Sequence, residues 1–106
     1  MDSRRGRELY VSKGCVACHA INGVGGANAA PLDAASMDPA MNPFEFFARM
    51  WVGTKPMIAM QEDRMGQQVE FTAQELGDIV AFVHDPEMQK SFSTAEIPDN
   101  IEDLIE

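Results

Sequence analysis

The chain has 106 residues, enough for one domain with a modest core. A formal net charge of −9 with no basic stripe excludes a nucleic-acid surface, and no apolar run approaches the ~18 residues of a membrane span. Only two cysteines are present, which excludes a disulfide framework or a Cys-rich metal site.

The first predicted helix covers residues 3–14. Ser3 is its expected N-cap, and Gly6, Leu9, Tyr10 and Lys13 follow at helical spacing. Gly14 weakens it just before Cys15-Val16-Ala17-Cys18-His19. This C-x-x-C-H run is the attachment signature of a c-type haem. Two thiols three positions apart on one helical turn can each add to a haem vinyl group. The imidazole of His19 is then held beneath the porphyrin as an iron ligand. A thioredoxin-like pair would want a strand–helix setting and no obligatory His. Half a zinc site would want two further ligands close together, and the only other histidine is the distant His84.

Residues 20–36 read as a loop, with turn chemistry in Asn22-Gly23-Val24-Gly25-Gly26 and then Ala29-Ala30-Pro31-Leu32. The glycines follow no predicted strand, so a dinucleotide site is not expected. Asn42 caps a second helix and Pro43 fits its first turn; Phe44, Phe47, Ala48 and Trp51 share one face, and Gly53 ends it. Residues 54–70 are expected to be irregular, with Met57, Met60 and Met65 separated by polar residues. Thr72-Ala73-Gln74-Glu75 is a capping box that opens a third helix, with Leu76, Ile79, Val80 and Val83 on its apolar face and Pro86 beyond its end. The division expected is a domain over 1–85 and a C-terminal extension over 86–106, packing on the domain or trailing from it. Ser93 or Thr94, and then Asp99, are expected to cap short turns there.

This order of parts resembles the class I c-type cytochromes over roughly residues 3–84. Gly6 and Tyr10 sit where that family has a glycine and an aromatic on its first helix, and Ile79 and Phe82 where it has their partners on the last. Asn22-Gly23 and Ala30-Pro31-Leu32 look like its Gly-rich loop and Pro-Leu pair. The resemblance implies an all-α fold, three main helices and long loops around one covalent haem c. It also implies that the Pro31 carbonyl accepts the free N–H of His19, fixing the ring's tautomer. The sixth iron ligand would be a methionine thioether. In small members a helix ends at Gly and the ligand follows about four residues later beside a Pro, a pattern that Gly53-Thr54-Lys55-Pro56-Met57 fits. Met57 is the first choice on this ground, with Met60 and Met65 as alternatives. Counting back from Ile79 favours Met65 instead. Trp51 either donates its indole N–H to a haem propionate or packs in the core.

The expected function is one-electron transfer between redox proteins, with His19 and a methionine on the iron and partners presenting a basic docking face. The alternatives are an electron-relay subunit or haem domain of a larger oxidoreductase, for which the extension is an argument, and a ligand-binding or peroxidase-like haem protein. His84 is expected to serve the C-terminal dipole of its helix. Glu62-Asp63 reads as a solvated loop. A periplasmic or otherwise exported location is expected, because covalent haem attachment follows export.

Overall fold

The computed structural model describes residues 1–105. α1 (Ser3–Ser12) is capped by Asp2, whose side chain accepts from the Arg5 N–H at 3.1 Å. Ser3, the expected cap, instead donates its hydroxyl to Asp85 Oδ2 at 2.6 Å. The helix stops two residues short of its predicted end. Gly14 adopts a left-handed φ of +83°, turning the chain into the 3-10 turn Cys15–Ala17.

The structure is organised by α1 crossing α4 (Ala73–Val83). Gly6 sets the approach: a Cβ there would collide with the Asp78 carbonyl of α4, so only glycine lets the backbones meet. Tyr10 and Phe82 fill the space beside the crossing, their rings 5.6 Å apart. The expected partnership of Gly6 and Tyr10 with Ile79 and Phe82 is therefore present. Phe92 completes an aromatic triad, 5.7 Å from both Tyr10 and Phe82. All three are buried, together with Val16, Ile21, Ile79 and Val83. The start of α4 is as predicted. Thr72 Oγ1 accepts from Glu75 N–H at 3.1 Å, and the Glu75 carboxylate accepts from Thr72 N–H at 2.9 Å.

α2 (Pro43–Val52) begins at the predicted cap, with Asn42 Oδ1 accepting from Phe44 N–H at 3.0 Å. Its expected inward face is not the one that packs. Phe44 and Trp51 are 78 % and 79 % exposed, and Phe46 makes the contact with the core instead. Core packing of Trp51 is thereby overturned. The irregular stretch expected at 54–70 is in fact largely helical: α3 (Thr54–Met65) follows after Gly53 alone. Pro56 falls in its first turn, where the missing N–H costs nothing. Gly66, at φ +85°, ends it. Neither α2 nor α3 contains a fully buried residue.

The segment after α4 packs on the domain. Asp85 caps the short α5 (Pro86–Gln89). Arg7 of α1 then holds the chain beyond it. Its guanidinium donates to Glu96, to the Met88 carbonyl at 2.7 Å and to Ser91 Oγ at 3.0 Å, and lies over the Phe92 ring. Ser93 caps a single turn in a second capping box with Glu96. Pro98, not Asp99, stands at the cap position of the last turn, α6 (Asp99–Glu102). Ile97 and Ile101 are buried against Tyr10, Val11 and Val16.

Candidate functional site

Cys15 and Cys18 stand at the two ends of the tight turn that follows Gly14, both half-buried and neither in a disulfide. Burial pushes the Cys15 thiol up to about 12, which keeps it protonated while unattached. The turn is braced from two sides. Beneath it, Tyr10 donates its hydroxyl to the His19 carbonyl at 2.9 Å. Burial raises the Tyr10 phenol well above its ordinary range, so it remains a donor. On the other side lies the Gly-rich loop, which forms a small hairpin.

That hairpin pairs β1 (Ala20–Ile21) with β2 (Val24–Gly25), in a stretch read from the sequence as loop. Asn22 and Gly23 both have positive φ, the geometry of a tight two-residue turn. No helix opens directly after the glycines; the next helical element is the single turn Ala34–Ser36. They serve close packing. A Cβ on Gly26 would strike the Ala17 carbonyl, and one on Gly25 the His19 carbonyl. Main-chain bonds from Gly26 to Val16 (2.9 Å) and from Ala29 to Cys18 (3.0 Å) fasten the loop to the turn.

The loop also orients the imidazole. His19 Nδ1 lies 2.7 Å from the Ala30 carbonyl. A carbonyl can only accept, so Nδ1 carries the proton and Nε2 keeps its lone pair for a metal. The resemblance assigns this role to the Pro31 carbonyl; the structure gives it to the residue before. Pro31 disfavours a helical backbone at Ala30, the residue whose carbonyl meets the ring. His84 makes the same kind of bond elsewhere: its Nδ1 donates to Val80 O at 2.8 Å within its own helix end, and its ring lies against Phe46. Among the described residues no group of three or more His, Cys, Asp or Glu is placed to hold a metal ion.

The cytochrome c family model matches residues 3–86. The chain belongs to the cytochrome c family. No curated protein and no solved structure matches it. The family binds haem c covalently, typically one per domain, and the two thiols and oriented imidazole found here are the donor set that haem requires. It is a haem c electron-transfer protein, and no helix among the described residues is long and apolar enough to cross a membrane.

The three methionines weighed as ligands all lie on α3, each half-buried. Met57 is in its first turn and Met65 is its last residue. The structure brings Met65 to the attachment turn: a Cβ built on Gly14 would lie 2.6 Å from the Met65 sulfur. Sequence reasoning missed the part played by Ala30, although its place directly before a Pro-Leu pair was a usable signal.

Proposed function

We propose that this cytochrome c is a one-electron carrier between redox proteins, with His19 and a thioether of α3 as axial ligands. The reading rests on one observation: the His19 ring is fixed by the Ala30 carbonyl, with Nε2 left for iron on a turn that carries both thiols. When bound, the haem supplies reversible one-electron chemistry at its iron. Cys15 and Cys18 would hold it by thioether bonds, and the exposed apolar side chains of α2 (Phe44, Trp51 and Val52) would give it surface to cover. Trp51, exposed beside it, is assigned the donor to a propionate.

Among the methionines we favour Met65 over Met57 and Met60. Its sulfur lies against Gly14, next to Cys15, and the count back from Ile79 agrees. The choice of Met57 rests on its spacing from the helix-ending Gly53 beside Pro56; in the structure it lies in the first turn of α3. With both axial positions filled from the chain, neither ligand has to leave during electron transfer, and a small transient interface suffices.

The net charge of −9 supports partners with a basic docking face, met in an exported compartment. The extension over 86–106 is the argument for a relay subunit. The burial of its described residues against its own domain supports treating it as part of the carrier.

The test is the ferric near-infrared sulfur–iron band of the holoprotein, measured in Met57→Ala, Met60→Ala and Met65→Ala. Loss of the band only in Met65→Ala is expected. Survival in all three would refute thioether ligation. Rapid carbon monoxide binding by the reduced wild type would favour the ligand-binding reading.

A further inference from the structure

α3 is the least anchored of the four long helices. It contains no fully buried residue, its apolar residues form no stripe, and no side chain caps its start. α1 and α4, by contrast, cross over a shared buried core. A helix held this loosely opens locally at lower free energy than the rest of the molecule.

Side-chain hydrogen bonds among the described residues help to hold α3. Thr54 Oγ1 donates to Met50 O at 2.6 Å, which only joins α3 to α2. Gln61 accepts from Val69 N–H at 2.9 Å, just beyond the helix's own end. A third is different in kind. Arg64 Nη1 donates to the Leu104 carbonyl at 3.2 Å, across 40 positions of sequence, and the bond is partly buried. Leu104 belongs to a strap, residues 97–105, that lies against the Cys15–Ala17 turn. Ile97 and Ile101 are buried in the core with Val16, and Leu104 and Ile105 pack on it with Cys15. The Arg64 side chain therefore ties the last turn of α3 to an element seated on the Cys15–Ala17 turn.

We infer that Arg64 is a positioning residue: with the strap 97–105 it latches the C-terminal turn of α3 closed and so holds the neighbouring Met65 toward the attachment turn. The inference rests on the proposal that α3 supplies the sixth ligand. The latch works by population. An outside ligand reaches the iron only when α3 is open, so its apparent Kd is the intrinsic value divided by the open fraction. Losing a charge-assisted bond of this kind raises that fraction by about tenfold.

The experiment uses the ferric holoprotein and imidazole as the probe. Arg64→Ala is expected to bind imidazole about tenfold more tightly than wild type, with Arg64→Lys in between, because the ammonium keeps a donor but not the reach of the guanidinium. Lys90→Ala, which removes an exposed charge elsewhere, is expected to match wild type. Hydrogen exchange gives a second reading that needs no ligand. Arg64→Ala is expected to lose amide protection in 54–65 while α1 and α4 keep theirs. Unchanged imidazole affinity together with unchanged α3 exchange would overturn the latch. So would protection lost equally across α1, α3 and α4, because Arg64 would then act on the whole fold. The methionine series tests ligation separately: a sulfur–iron band that survives all three substitutions removes the ligation, whatever Arg64 does.

Discussion

Replacing Tyr10 with Phe removes one oxygen atom from the centre of the molecule and little else. The Tyr10 side chain is fully buried, and its ring contacts with Phe82 and Phe92 survive the change. What goes is the 2.9 Å bond from the hydroxyl to the His19 carbonyl. A neutral hydrogen bond is worth about 1 kcal/mol net, and leaving a buried acceptor short of a donor takes the cost toward ~2 kcal/mol. In a domain of this size that corresponds to a fall in Tm of roughly 5–10 °C. Calorimetry of the holoprotein at neutral pH measures it. The pH dependence gives a sharper check. Burial raises the folded phenol above its ordinary value of 10.0. The unfolded chain therefore ionises first, and the stability contributed by the phenol is complete below that value and declines as pH rises beyond it. The gap between wild type and Tyr10→Phe is expected to be constant from pH 6 to 9 and to narrow above pH 10. An unchanged Tm at neutral pH, or a gap that widens in alkali, would refute the argument that this hydroxyl braces the attachment turn.

Gly6→Ala places a Cβ against the Asp78 carbonyl, so α1 and α4 must move apart, at a cost of about 1–3 kcal/mol in urea unfolding. Ser3→Ala removes the first cause that holds the Asp85 carboxyl below its ordinary range. Because that folded pKa is depressed, its contribution is present above 3.8 and lost as pH falls through the folded value. The stability difference between Ser3→Ala and wild type is thus expected at pH 5 and above, and should vanish in strong acid. Arg7→Ala breaks the Glu96 pair and the bonds to Met88 and Ser91. The site is half-sheltered, so the cost should fall near 2 kcal/mol, between the exposed and buried limits, with amide exchange accelerated first at Phe92 and Ile97.

What the sequence disclosed follows from how locally each feature is encoded. Cys15, Cys18 and His19 stand out in the sequence because covalent haem attachment demands two thiols and an imidazole at fixed spacing. α4 was legible because Thr72 and Glu75 cap it reciprocally and its apolar residues keep one period. α3 was not, and the reason is physical. Its residues are good helix formers, among them Ala59, Gln61, Glu62 and Arg64, but their apolar neighbours make no continuous face. A reading that seeks amphipathic stripes passes over a helix that has none. The misjudged face of α2 has a related origin: Phe44, Phe46, Phe47 and Trp51 offer more apolar surface than one side can bury, and periodicity alone does not choose between them. The role of Ala30 left no mark on its own residue type, because a backbone carbonyl makes the bond, and only its place before Pro31-Leu32 pointed to it.

The misread helices α2 and α3 fall in one half of the molecule, and that half differs in kind from the other. α1, α4, the attachment turn and the extension share an aromatic core, two capping boxes and the Arg7 clamp. That is the half that fixes the His19 ring, whose orientation would set how it meets the iron as the proposed ligand. α2 and α3 bury no residue completely and leave Phe44, Trp51 and Val52 in solvent. Exposed apolar surface on this scale is costly unless something covers it. A covalent haem seated between the two halves would cover it and would give the looser half the packing partner that its own side chains lack. On this argument the holoprotein should protect α2 and α3 amides far more than the same chain with Cys15 and Cys18 changed to Ala, while α1 and α4 differ much less. Equal losses in both halves would show that the core at the α1–α4 crossing does not stand apart from the cofactor.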